Sequence, residues 1–163
     1  MRQIVYALRF RGEASWVGVD SNLLRVVARA TGCSMRTWFN QDRLHGEVRD
    51  EPGDEIRLES ELTITGATTF QEIGTIAFGA SGDRLRFSTC GSGHLESVPL
   101  STGRRGAAVL QVDDGERQFA AAHGLFASNY VVDTSGGITI LQLGSIHFPD
   151  GGPEVPTDMF SGG

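Results

Sequence analysis

Residues 62–78 (LTITGATTFQEIGTIAF) align without a gap with residues 132–148 (VDTSGGITILQLGSIHF). Gly66/Gly136, Thr69/Thr139, Gly74/Gly144, Ile76/Ile146 and Phe78/Phe148 are identical. Leu62/Val132, Thr65/Ser135, Glu72/Gln142, Ile73/Leu143 and Thr75/Ser145 are near matches. A unit used twice constrains the fold strongly, because both copies must satisfy one geometry. The unit reads as strand, turn, strand. It also singles out Glu72 and Gln142, two polar side chains on otherwise apolar faces.

The flanking chain carries the same period. Ile4, Tyr6, Leu8 and Phe10 share one face of a first strand, with Arg9 and Arg11 on the other. Ile56, Leu58, Leu62 and Ile64 alternate with polar residues, as do Leu85 and Phe87. This alternation predicts antiparallel sheet with one dry and one wet face. Turn signals stand at Glu51-Pro52-Gly53-Asp54, Gly66, Ser81-Gly82-Asp83, Asp113-Asp114-Gly115 and Ser135-Gly136-Gly137. Residues 21–32 have helix-like capping and spacing, yet their valines suit a strand better. A short helical turn is expected near 116–123, with Phe119 plugging or flanking one barrel end. The fold class is therefore all-β, a single antiparallel β-barrel of about 8–10 strands spanning 1–148. A Greek-key sandwich is the structural alternative. Glycines inside strands, Gly74 and Gly144, favour the barrel because they permit sharp coiling. Residues 149–163, rich in Pro and Gly, form a tail without periodicity.

A net charge of −6 argues against nucleic acid as a partner, since phosphate binding needs a basic face. No apolar run reaches the ~18 residues of a membrane helix, and the first residues already read as a strand rather than a leader. The expected setting is cytoplasmic, with no membrane partner. Cys33 and Cys90 suggest no disulfide framework. His45, His94, His123 and His147 lack metal-binding spacing, so no metal is expected. Neither a phosphate-cradling loop nor a nucleophile elbow is present, and no cofactor is expected.

Three motifs carry a resemblance: TGxTxFxExGxIxFG at 65–79, LRFSTxGxG at 85–93 and FAxAxGxxxSNY at 119–130. Together they resemble small bacterial β-barrel proteins similar to the allene oxide cyclase-like, or calycin-like, barrels. The resemblance covers the second half of the chain and implies that architecture. It also implies a range of activities that includes cyclases, without selecting one. Residues 94–105 have no counterpart in it and read as a long loop bordering a pocket mouth.

Within such a barrel, alternation points Glu72 inward beside Phe70, Gly74, Ile76 and Phe78. A carboxyl in apolar surroundings holds its proton more tightly, which suits acid–base work, although a structural buried glutamate would look the same. Gln142 is its counterpart, and the two either act together or satisfy each other. Asn129 and Tyr130 are strand neighbours, so one faces inward and sequence does not choose. Phe70, Phe78, Tyr6 and His94 complete the candidate ligand contacts, and Trp16 is placed to cover the mouth.

The functional expectation is a small-molecule pocket protein. It reads as a cofactor-independent isomerase or cyclase acting on an apolar metabolite inside the barrel, with Glu72 and Gln142 as the catalytic pair. Non-catalytic binding of a small hydrophobic ligand is the alternative. A packed barrel used for assembly through Trp38 is a third. Apolar residues on the face opposite Glu72 (Ile73, Leu141, Leu143) point to a homo-oligomer, a dimer.

Overall fold

A computed structural model describes residues 1–97 and 103–149. Nine strands account for most of them: β1 (Arg2–Trp16), β2 (Leu23–Asn40), β3 (Arg43–Ile64), β4 (Thr69–Phe78), β5 (Asp83–Thr89), β6 (Gly93–Ser97), β7 (Arg104–Glu116), β8 (His123–Val132) and β9 (Gly137–Phe148). Residues 21–32 are extended, as their β-branched side chains favour. The helical expectation near 116–123 reduces to one 3₁₀ turn, Arg117–Phe119.

The strands form one antiparallel sheet in the order β3-β2-β1-β9-β8-β7-β5-β4-β6. Pairing of β3 with β4 closes eight of them in a ring, giving a barrel-like body. Strand β6 pairs with both β4 and β7 and continues the line of β5. It replaces most of the long loop expected over 94–105; residues 98–102 of that stretch and the tail from 150 lie outside the described residues.

Two turn signals prove to be bulges. Opposite Thr31 on β2 stand four residues of β3, Pro52–Glu55, between the pairs Ala30↔Ile56 and Gly32↔Glu51. Proline has no N–H to give the ladder, so pairing lapses there without reversing the chain. The reversal comes at Gln41 and Asp42, both at positive φ, in a two-residue hairpin turn. The stretch Asp113-Asp114-Gly115 likewise sits inside β7, where the register against β5 shifts between Arg86 and Phe87.

One row of each strand fills the interior. Phe10, Phe70, Phe87 and Phe126 are fully buried with Leu58, Ile76, Leu85, Leu110, Ile140 and Ile146. Phe119 closes one end, as the sequence suggests, packing 4.7 Å from Phe78 and 6.0 Å from Phe148 between ring centroids. Gly74 and Gly144 lie on inward rows where neighbouring rings cross the strand. A Cβ on Gly74 would stand 2.6 Å from Phe87 Cζ and 2.7 Å from the Glu59 carbonyl oxygen. One on Gly144 would stand 2.6 Å from Tyr6 and 2.7 Å from Phe126. The repeated glycine therefore makes room for an aromatic ring in both units.

Because the Glu59 contact is backbone, Gly74→Ala should lower stability by about 1–3 kcal/mol in urea unfolding. Gly46→Ala, which meets nothing within 4 Å, should stay within about 0.5 kcal/mol. Equal midpoints for the two variants would contradict this packing.

Candidate functional site

Strands β4 and β9 are four places apart whichever way the ring is counted. The two copies of the repeat thus face each other, and Glu72 and Gln142 point inward from opposite walls. Both are fully buried. They do not touch, and each has its own hydroxyl partners. Tyr6 Oη donates to Gln142 Oε1 at 3.1 Å, and Gln142 Nε2 donates to Ser128 Oγ at 3.1 Å. Tyr130 Oη donates to Glu72 Oε2. Two short polar chains result, Tyr6–Gln142–Ser128 and Tyr130–Glu72, which lie next to each other because Ser128 and Tyr130 share the inward row of β8. The Glu72 backbone is held by Thr89, whose hydroxyl accepts from Glu72 N at 2.6 Å.

Burial pushes the Glu72 carboxyl above the ordinary glutamate range, against opposing donation from Ser60 and Tyr130. The Ser60 hydroxyl stands near enough to favour the ionised carboxylate but outside good hydrogen-bond geometry, and its oxygen completes no bond. Burial and the adjacent Glu72 charge raise the Tyr130 phenol well above its usual value. Burial also raises Tyr6.

The end of the ring opposite Phe119 carries a cleft of about 430 Å³. Leu24, Leu62, Phe70, Leu95, Tyr130 and Ile138 form its apolar wall, with Trp16 at the rim, where the sequence places it. The Tyr130 ring meets Phe70 edge-on at 5.8 Å and 88°. Tyr130 therefore belongs both to the cleft wall and to a buried polar chain. Glu72 lies behind it and does not line the cleft.

Of the candidate contacts, Tyr130, Phe70 and Tyr6 join this assembly. Three do not. Asn129 is exposed on the outer row, since alternation leaves one of the two neighbours outside. His94 is also outside, 3.7 Å from Glu96, which is held by Arg105. Phe78 belongs to the plugged end against Phe119. Ser128 and Ser60 were not singled out by sequence, although both sit on apolar rows where a lone hydroxyl is a detectable signal. Among the described residues no group of three or more His, Cys, Asp or Glu could hold a metal ion.

Neither a family model, nor a curated protein, nor a solved structure matches the chain.

A carboxyl raised by burial keeps its proton in the folded chain at pH values where the unfolded chain has lost it. Its stabilising contribution is full below the ordinary glutamate range and declines as pH rises through that range toward the folded value. Glu72→Gln removes this term, while the lowered Asp50, Asp83, Glu96 and Asp133 are common to both proteins and cancel. The urea midpoint of Glu72→Gln should therefore gain on the wild type as pH rises upward from the ordinary glutamate range, about pH 4. A pH-independent difference would contradict a raised Glu72.

Proposed function

We propose that this protein is a small-molecule pocket protein built on an allene oxide cyclase-like barrel. Its apolar ligand enters the end cleft, and a cofactor-independent isomerisation or cyclisation takes place against Tyr130. One observation carries the reading: Tyr130 lines the cleft and its hydroxyl is hydrogen-bonded to a buried carboxyl group. A hydroxyl so placed can lend its proton to a developing oxyanion in the cleft as Glu72, which burial favours in the protonated form, passes its own proton to the Tyr130 oxygen; both protons move back when the oxyanion collapses. The apolar walls would fold the ligand and exclude water from the reacting atoms. In this reading Tyr130 is the catalytic residue and Glu72 positions it, while Gln142, bonded to Tyr6 and Ser128, is a structural group and not a catalytic one. The ligand sits at the mouth and not inside the barrel as expected from sequence, because phenylalanine rings fill the centre.

Binding without turnover is the second reading. It is favoured by the mutual satisfaction of Glu72 and Tyr130, which a purely structural pair would also show.

The wild type is expected to bind Nile red in the cleft and, when purified from its own host, to retain an apolar small molecule in native mass spectrometry. Leu95→Trp narrows the cleft without touching the polar chain and should weaken Nile red binding at least about tenfold, or 1.4 kcal/mol. Tyr130→Phe should keep dye affinity within about twofold while slowing conversion of the retained molecule by roughly 10²-fold or more. Dye binding indifferent to Leu95→Trp would defeat the cleft assignment. Unimpaired conversion by Tyr130→Phe would leave binding alone.

A further inference from the structure

Beyond the Pro52 bulge, β2 and β3 leave the ring as a two-stranded arm, Gly32–Asn40 paired with Arg43–Glu51. Among the described residues no third strand pairs with it, at either edge. An isolated hairpin of this kind is marginal in water and needs a surface to lie on. Its base is tied over the outer side of β1, where Asp50 binds Arg9 at 2.9 Å and Arg11 at 2.8 Å.

The two faces of the arm differ. One presents ion-paired and stacked groups: Arg49 holds Glu47 at 2.8 Å, and Trp38 lies on His45 with ring centroids 5.2 Å apart. The other presents the cross-strand pairs Met35↔Val48 and Phe39↔Leu44. Phe39 is 66% exposed and Leu44 73%.

The outer wall is also two-sided in character. Around β3, β4 and β5 it is ion-paired, with Arg25–Glu61, Arg57–Glu59 and Arg86–Asp114. Ile73, which suggested a dimer from sequence, lies in that charged region. The opposite wall is different. Residues 3–7 of β1, 141–145 of β9, 125–129 of β8 and 107–111 of β7 include no charge. There Val5, Val109, Leu125 and Leu143 line an apolar groove of about 650 Å³, which Met35 at the arm's base also borders. The arm leaves its own groove open, for Val5 remains 76% exposed and Leu125 55%.

We propose that two copies of this chain clasp each other, the apolar face of each arm lying in the uncharged groove of the other. Charge selects this occupant. Arm residues 32–51 contain three arginines (36, 43, 49) against Asp42, Glu47, Asp50 and Glu51, a net charge of −1, and the one charge on the apolar face, Asp50, is held by Arg9 and Arg11. An apolar face on an arm without excess positive charge has no means of selecting a nucleic acid or an acidic membrane, and it matches a wall that is itself uncharged. Size agrees as well. Nine residues per strand make an arm face about 30 Å long and about 10 Å wide. Giving one such face and receiving another covers roughly 600 Å² of each copy before side-chain relief, near the ~800 Å² a partner ordinarily contributes. A reciprocal contact of this kind closes with two-fold symmetry.

Sedimentation velocity at tens of micromolar tests the clasp. The 17.5 kDa chain should run as a dimer. Phe39→Asp on the arm and Leu125→Asp on the wall, both at exposed positions, should each raise the dimer dissociation constant at least about 100-fold. Circular dichroism should show both variants folded. Mixing the two variants should bring the dissociation constant part of the way back, at least about tenfold below that of either variant alone, because one of the two contacts then joins an intact arm to an intact groove. Arm-to-arm or wall-to-wall pairing gives no such rescue, and its absence would overturn the proposal. A monomeric wild type, as expected if residues 150–163 of the same chain cover the groove, would overturn it too. So would a dimer indifferent to both substitutions.

Discussion

A carboxyl group withdrawn from water must be met by donors, and the interior of this ring is arranged around that requirement at Glu72. The answering group is Tyr130 on β8, and beside this pair Gln142 on β9 gathers Tyr6 on β1 and Ser128 on β8. Each is held by its own strand pairing, so these contacts form only when several registers are simultaneously right. A one-residue slip in β4 would turn Glu72 outward and leave the Tyr130 hydroxyl buried without its acceptor. The polar contacts thus cost desolvation energy but disfavour wrong registers, which a uniformly apolar interior would tolerate more easily.

The duplicated unit explains where the polar groups sit. Opposed across the ring, the two copies share an inward glycine crossed by a ring: Phe87 at Gly74 and Tyr6 at Gly144. They differ at the neighbouring inward position, glutamate in one and glutamine in the other. They differ again in the crossing ring, where only Tyr6 carries a hydroxyl. Two carboxylates in that interior would repel in a region with little water to screen them. The amide at 142 avoids this and supplies both an acceptor for Tyr6 and a donor toward Ser128. The ring is also unequal along its axis. Phe119 closes one end, while the other leaves the Tyr130 face at the floor of an apolar cleft.

Much of this was legible because alternation is a local signal. The inward row of β4, the extended character of 21–32 and the Phe119 plug all follow from side-chain period and from one aromatic residue in a turn. The inward direction of Glu72 followed from the same pattern. Other features depend on contacts between distant strands. Whether Asn129 or Tyr130 faced inward could not be read, since both rows of β8 carry apolar residues. The bulges at Pro52 and Asp113 looked like reversals because Pro, Gly and Asp favour both. The true hairpin tip, Asn40-Gln41-Asp42-Arg43, has no glycine to mark it. The bond between Ser128 and Gln142, and the placement of His94 and Phe78 away from the cleft, depend on strand pairing and ring closure that no local spacing encodes.

The most direct test is a double-mutant cycle between Glu72 and Tyr130, measured by urea unfolding. Glu72→Met and Tyr130→Phe each remove one partner of the buried hydrogen bond at similar side-chain volume. Residues that do not interact should behave additively, within about 0.3–0.5 kcal/mol. A coupling clearly above that range, on the order of 1 kcal/mol, is expected for a hydrogen-bonded pair withdrawn from water. Strict additivity would contradict the pairing of the buried carboxyl with the Tyr130 hydroxyl.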